Sequence, residues 1–209
     1  DFSYNNKKKI LDNVSIEFRK GFSYGIIGDS GMGKSTLIDL IIGLLKPKNG
    51  RIIADNSEIT NSNLGSWQKK ISYVPQEPIM LDTTIKENII FNYVAEKNVD
   101  NKIGKVSKIA EAKEFIEKLD NKLNSLIGER GSKISGGQKQ RISICRALYK
   151  DFDVLILDES TNAIDYEIED KIYENLLSEY KDKLIIIISH RRSIYKKLDH
   201  LIEIKNGKI

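Results

Sequence analysis

The sequence predicts an α/β fold whose central sheet is mostly parallel, with an antiparallel β region near the N-terminus and an inserted helical region. Short apolar runs of strand length, at residues 154–157 and 184–189, alternate with segments of helical period. This alternation is typical of a parallel sheet buried by helices on both faces. Residues 84 to about 124 are charged, free of proline and helical in period, which indicates a helical insertion.

The other elements follow from the same patterns in chain order. Residues 10–18 alternate apolar and polar side chains, as an antiparallel strand does, after a lysine run at 7–9 that predicts a solvated hairpin turn. Asn206-Gly207 predicts a hairpin that joins residues 201–204 to residues 208–209. The remaining predicted elements are strands at 22–27, 50–54 and 70–74, and helices at 34–45, 135–149, 168–180 and 193–198.

Composition describes a globular chain of balanced charge. The 209 residues suit one domain, or one domain with a sizeable insertion. Lys and Arg number 34 against 30 Asp and Glu, and a net charge of +4 argues against nucleic acid as a partner. The single cysteine, Cys145, suits a reducing compartment and lies in the apolar pattern of a helix, which predicts a core residue.

A glycine-rich loop between a predicted strand and a predicted helix carries the first motif. Residues 28–35 read GDSGMGKS and fit G-x-x-x-x-G-K-[ST], a loop that cradles phosphates with backbone N–H groups at a helix N-terminus. Lys34 would reach the β- and γ-phosphates of ATP, and the Ser35 hydroxyl would bind Mg²⁺. The alternative, a glycine-rich turn that binds nothing, is disfavoured by the flanking strand and helix. The predicted ATP-binding residues here are Gly28, Asp29, Ser30, Gly31, Met32, Gly33, Lys34, Ser35 and Thr36.

Two acidic residues follow the apolar strand at 154–157. Ligands of open α/β sheets bind at the carboxyl ends of the strands, so Asp158 is predicted to hold Mg²⁺ and Glu159 to act as general base on the attacking water. The alternative is an ordinary strand that ends in two solvated carboxylates. The phosphate loop earlier in the chain favours the nucleotide site.

The segment ISGGQ at residues 134–138 indicates which kind of nucleotide binder this is. With the two motifs above, it resembles the signature of the ATP-binding-cassette (ABC) ATPases, with Ile134 where that family has Leu. The resemblance covers essentially the whole chain and implies a P-loop NTPase (RecA-like) core. It implies one ABC ATPase domain over residues 1–209. About 1–83 and 141–209 would form the β subdomain and the core, and about 84–140 the helical subdomain.

The resemblance also implies roles for residues whose own signals are weak. Gln76 matches the Q-loop, whose amide oxygen binds Mg²⁺ or the lytic water, and His190 matches the switch histidine that contacts the γ-phosphate. Asp165 matches the D-loop, which would act across a dimer interface or hold the region of Asp158 in place. Tyr4 resembles the aromatic residue that stacks on adenine, the alternative being a tyrosine packed on the sheet.

The signature residues would serve a second subunit. Ser135, Gly136, Gly137 and Gln138 would meet the γ-phosphate of that subunit's ATP at the positive end of a helix, which Ser135 would also cap. Residues 84–89 and 128–131 resemble exporter segments, the latter being the X-loop. The resemblance therefore implies an exporter's ATPase domain on the cytoplasmic side of the cell (inner) membrane. Its partners would be a second such domain, in a homodimer or heterodimer, and membrane domains outside this chain, on a longer polypeptide or on separate subunits.

Three other functions fit the sequence less well. A soluble ABC protein that acts on ribosomes or DNA would usually carry two cassettes or a long coiled-coil insertion. A regulatory cassette that does not hydrolyse ATP would usually lack Glu159, His190 or a signature glycine, all of which are present. A small-molecule kinase with a P-loop would have no use for the signature.

Overall fold

The computed structural model describes residues 1–4, 9–91 and 98–209. Two 3₁₀ turns, Lys122–Asn124 and Glu129–Gly131, accompany the helices and strands. In chain order these are β1 (Ser23–Ile27), α1 (Lys34–Ile42), β2 (Ile53–Ala54), β3 (Ser57–Glu58), α2 (Leu64–Lys70), β4 (Ile71–Val74), α3 (Ile85–Ile90), α4 (Val99–Ile109), α5 (Lys113–Glu117), α6 (Gly136–Tyr149), β5 (Val154–Asp158), α7 (Tyr166–Glu179), β6 (Leu184–Ile188), α8 (Arg192–Tyr195) and β7 (His200–Glu203).

Five parallel strands form the central sheet, in the order β4-β5-β6-β1-β7. Every residue of β5 and β6 is buried, as the continuous apolar runs predict for a sheet covered on both faces. The register pairs Ile188 with Asp158 on one side and with Ile26 on the other. The carboxyl ends of β5, β6 and β1 therefore lie side by side, which confirms the predicted parallel sheet.

The core lies on both faces of this sheet, because successive side chains of a strand point in opposite directions. Leu155 and Leu157 belong to a cluster with apolar residues of α3, α4, α6 and α7. Val154 and Ile156 belong to a second cluster that contains the buried side chains of α1. Cys145 is fully buried in the first cluster, as predicted, and burial raises the pKa of its thiol to about 12.

The N-terminal antiparallel region is smaller than the sequence predicts. Within the described ranges, residues 10–18 form one bridge, between Leu11 and Phe2, and no ladder. Asn13 takes a left-handed φ of 52° that interrupts an extended strand. The burial of residues 14–18 still alternates as predicted, with Val14 and Phe18 against the core. Of the strand predicted at 50–54, only β2 forms, paired with β3.

The helical insertion is confirmed, while several element boundaries differ from the predictions. α3, α4 and α5 occupy the predicted segment, of which residues 92–97 lie outside the described ranges. Lysines 7 and 8 of the predicted hairpin turn also lie outside them. α1 ends at residue 42 instead of 45 because Gly43 takes a left-handed φ of 81°.

The chain closes differently from the predicted hairpin. β7 pairs in parallel with β1, so it is an edge strand of the central sheet. The turn at Asn206-Gly207 is present, with φ of 50° and 75°, but it joins only a single antiparallel bridge between Lys205 and Lys208. Among the described helices, none is both long and apolar enough to cross a membrane.

Candidate active site

The phosphate loop connects β1 to α1 at the carboxyl edge of the sheet. Gly28, Gly31 and Gly33 have positive φ values of 150°, 78° and 102°, and a Cβ atom at Gly28 would lie 2.5 Å from the carbonyl oxygen of Ile204. The loop therefore requires glycine. α1 begins without a side-chain cap and without an acidic residue in its first turn, so its N-terminal N–H groups remain available to an anion.

Lys34 places its ammonium group inside this loop. The side chain is buried, and Nζ donates to the carbonyl oxygens of Gly28 at 2.7 Å and Asp29 at 3.1 Å. Ser35, next along the helix, is exposed at the mouth of the loop. A curled glycine loop, an uncapped helix N-terminus, an ammonium group and an exposed hydroxyl together fit a nucleotide triphosphate and its Mg²⁺.

Glu159 is the point at which the predicted catalytic side chains meet. Nε2 of His190 lies 2.7 Å from Oε1, and Nε2 of Gln76 donates to Oε2 at 3.0 Å. Asn162 donates to the same Oε2 at 3.3 Å. The φ of Glu159 is 46°, a left-handed value that is uncommon for a residue other than glycine and is found at active sites. The fold thus brings two predicted residues from distant segments, Gln76 and His190, onto the carboxylate of a third.

Asp158 lies beside this group at the end of β5 and is buried. The Tyr73 hydroxyl donates to its Oδ2 at 3.2 Å, and burial raises the pKa of the Asp158 carboxyl. A carboxylate removed from water in this way gains strongly from a nearby cation. Ser35, Gln76 and Asp158 are the residues that could hold Mg²⁺, with ATP phosphates supplying further oxygens.

Tyr4 lies against α1 and not flat on the sheet. Its hydroxyl is 3.2 Å from Oγ1 of Thr36, and its ring meets the edge of Phe2 with centroids 5.0 Å apart. The residue is nevertheless 59% exposed, so a large part of the aromatic surface is free. The ring therefore lies next to the phosphate loop, and its stacking on a base stays a prediction.

Replacing Tyr4 with Ala is expected to weaken ATP binding about tenfold, because stacking of a base on an aromatic side chain contributes roughly 1–3 kcal/mol. Isothermal titration calorimetry would measure the dissociation constant. Tyr4→Phe is the matched control, since it keeps the ring and removes only the contact with Thr36. Equal affinity of Tyr4→Ala and the unmodified chain would contradict the assignment.

The signature segment forms the start of α6. Ser135 is the N-cap: its Oγ accepts from the Gln138 N–H at 3.3 Å, while Gln138 Oε1 accepts from the Ser135 N–H at 2.9 Å. This is a capping box, as the predicted capping role of Ser135 implies. Ser135 and Gly136 remain exposed. In the described part of the chain, no hydrogen bond or ion pair joins residues 134–138 to residues 28–36.

The signature helix contacts the D-loop of its own chain. Gln140 Oε1 accepts from the Ala163 N–H at 3.0 Å, and a Cβ atom at Gly137 would lie 2.8 Å from the Ala163 carbonyl oxygen. Gly137 therefore permits a close approach that no larger residue allows. Asp165 follows in the same loop as the N-cap of α7, where it is exposed and makes no side-chain cap hydrogen bond.

Several polar residues around the site were not predicted from the sequence. Tyr73 contacts Asp158, and Asn162 contacts Glu159. An ion pair joins the buried Glu169 to the partly exposed Arg191, directly after His190. No local pattern singled out Tyr73, which is the one partly exposed residue of the otherwise buried β4. An acidic residue on the apolar stripe of α7 was the signal for Glu169.

Comparisons with known proteins identify the family. The family model described as ABC transporter matches residues 11–162. A relative from Rickettsia typhi, whose name describes a putative export ATP-binding/permease protein, is 40% identical over an alignment of 211 positions that covers 100% of this chain and 36% of the relative. ABC transporter B family member 14 of Arabidopsis thaliana is 37% identical over 210 residues, covering 100% of this chain and 17% of that protein.

A solved structure gives the same result for the fold. The structure of a bacterial Atm1-family ABC exporter with ATP bound matches with a TM-score of 0.93 at 31% identity, covering 100% of this chain and 36% of that one. The chain therefore spans only about a third of the length of its bacterial relatives. The family model covers well over half of the chain, and the chain thus belongs to the ABC transporter family and has the fold of an ABC exporter's ATP-binding domain.

Proposed function

We propose that this chain binds ATP with Mg²⁺ and hydrolyses it as the motor domain of an ABC exporter. The observation that carries the proposal is the convergence of Gln76 and His190 on Glu159, beside the buried Asp158. These groups lie at the sheet edge that also bears the phosphate loop, where ligands of α/β sheets bind.

The residues divide the work of hydrolysis. Glu159 accepts the proton of the attacking water as general base, and His190 and Gln76 hold its carboxylate in place through the contacts at 2.7 Å and 3.0 Å. Lys34 and the N-terminus of α1 stabilise the negative charge that develops on the γ-phosphate. Mg²⁺, when bound by Ser35, Gln76 and Asp158, would neutralise charge on the β- and γ-phosphates.

The exposed signature supports a shared active site. Ser135, Gly136 and the positive end of α6 face solvent in the single chain and form no bond to their own phosphate loop within the described residues. A second domain of the same kind, in a head-to-tail dimer, would bring its ATP to this helix end. ATP then stabilises the closed dimer, and hydrolysis removes that stabilisation.

An exposed apolar surface between the Q-loop and the X-loop supports docking of a membrane domain. Ile79, Leu81 and Leu126 are 71%, 40% and 59% exposed. The backbone beneath them is fixed, since the buried Asn88 bonds to both backbone groups of Leu81, and Arg146 donates to the Ile79 carbonyl oxygen at 2.8 Å. Membrane helices seated here would follow the motion of the helical subdomain, about residues 84–140, and place the chain on the cytoplasmic face of the membrane.

The test is the ATPase rate per chain, measured with Mg²⁺ across a range of chain concentrations. A shared site predicts that the rate per chain rises with concentration, because each site needs two chains. The rate should reach a plateau when nearly all chains are in dimers. A nonzero rate that does not change with concentration would favour an ordinary P-loop enzyme and contradict the shared site. A supplied membrane domain is expected to lower the concentration needed.

A further inference from the structure

A buried polar network lies behind the active site. Glu169, on the first turns of α7, is 3% exposed, and its two carboxylate oxygens have separate partners. Oε1 accepts from the Thr161 hydroxyl, and Oε2 pairs with Nη1 of Arg191. Oγ1 of Thr161 also lies 2.9 Å from the Tyr173 hydroxyl. We call Thr161, Glu169, Tyr173 and Arg191 the Arg191 network.

Arg191 connects this network to the loop that carries His190 and to the D-loop. It directly follows His190, and its backbone N–H donates to Oγ of Ser189 at 3.1 Å. The other arm of its guanidinium, Nη2, donates to the carbonyl oxygen of Ile164 at 3.1 Å, next to Asp165. One planar side chain therefore joins α7, the loop that carries His190, and the D-loop.

The guanidinium group of arginine is better suited than the ammonium group of lysine to bind the Glu169 carboxylate and the Ile164 carbonyl at the same time. A guanidinium presents donors in a fixed plane, so two acceptors bound by it are held at a fixed separation. Removal of Arg191 would leave the buried Glu169 carboxylate without its cation, which is costly, so the pairing is expected to persist. The side chain of His190 is 52% exposed, and its contact is with Glu159. Contacts of the neighbouring residue Arg191 can therefore determine the position of the loop that carries His190.

We propose that Arg191 and Glu169 are positioning residues that fix the His190 loop and the D-loop relative to each other. His190 then contacts Glu159 only when the D-loop is in the position where its Ile164 carbonyl accepts from Arg191. Neither residue touches the reacting atoms. The inference rests on the proposed function, because it assigns these residues to the contact between His190 and Glu159. It implies that the two loops move together during the catalytic cycle.

Arg191→Lys is expected to lower kcat about tenfold, while ATP affinity stays close to that of the unmodified chain and the variant stays folded at the assay temperature. Lysine keeps the charge next to Glu169 but cannot also reach the Ile164 carbonyl, so a hydrogen bond from a charged donor is lost. Lys197→Met is the matched control. Lys197 pairs with Asp170 and Glu174 on the same helix, at 2.6 Å and 2.8 Å, without touching either loop. Its kcat should equal that of the unmodified chain.

Amide hydrogen exchange provides a readout that does not need turnover. The Ile164 N–H donates to the Thr161 carbonyl at 2.9 Å, and the N–H at 191 donates to Ser189 Oγ. Both amides should exchange faster in Arg191→Lys, while amides of α6 stay unchanged. If Arg191→Lys does not fold, Glu169→Gln, which keeps shape and one acceptor oxygen, takes its place with the same expectations.

Two results would overturn the inference. One is an unchanged kcat with unchanged exchange at residues 164 and 191. The other is a fall in kcat that is explained by unfolding at the assay temperature or by a matching fall in ATP affinity. Failure of the proposed function looks different. In that case the unmodified chain and Lys197→Met both lack ATPase activity, and the exchange of the two amides alone decides whether Arg191 holds the loops.

Discussion

Replacing Glu159 with Gln is expected to reduce ATP turnover by at least about 100-fold, the lower end of what a general base contributes, while ATP binding persists. The amide has nearly the shape of the carboxylate, so the pocket formed with His190 and Gln76 remains filled. It cannot accept the proton of the attacking water. Because ATP then stays unhydrolysed, the dimer that it stabilises should accumulate.

Single-turnover hydrolysis would measure the rate of turnover. Size-exclusion chromatography with light scattering would measure the fraction of the chain that is dimeric. Glu167→Gln is the matched control, since Glu167 is an exposed acid in the first turn of α7, eight positions along the chain. It should hydrolyse ATP at the normal rate. Turnover of Glu159→Gln at the level of that control would remove Glu159 from the role of base.

Local patterns were sufficient for the elements that position the site. The apolar runs that form β5 and β6 are continuous because both faces of a parallel sheet are buried. A continuous apolar run can be recognised directly in the sequence. The phosphate loop was equally accessible, since positive φ at Gly28, Gly31 and Gly33 is a requirement that the spacing of glycines records directly.

The contacts that complete the site depend on strand order, which no local pattern records. Tyr73 reaches Asp158 because β4 lies next to β5, although 85 positions separate the two residues in the chain. Glu169 and Arg191 meet because α7 packs behind the loop after β6. A single residue can also interrupt a correct pattern. Residues 14–18 alternate in burial as predicted, but Asn13 has a left-handed φ, and within the described ranges only Leu11 of this segment forms a bridge.

Ser135→Arg is expected to abolish turnover in a dimer of identical chains while leaving ATP binding to the single chain unchanged. Ser135 is exposed at the start of α6, and within the described residues it forms no bond to its own phosphate loop, so the substitution leaves the nucleotide site of its own chain intact. A large side chain there would occupy the space that the partner's γ-phosphate needs. Ser135→Ala separates this effect from loss of the cap, which costs about 1 kcal/mol of stability.

Mixing two inactive variants gives the sharpest test of the shared site. Lys34→Ala removes the ammonium group from the phosphate loop but keeps the signature, and Ser135→Arg does the reverse. A mixed head-to-tail dimer contains one site built from the intact phosphate loop of one chain and the intact signature of the other. An equimolar mixture should therefore recover about a quarter of the unmodified rate, since about half of the dimers are mixed and each has one working site of two. If each variant folds and the mixture stays inactive, the signature does not act on the ATP of a second copy of this chain.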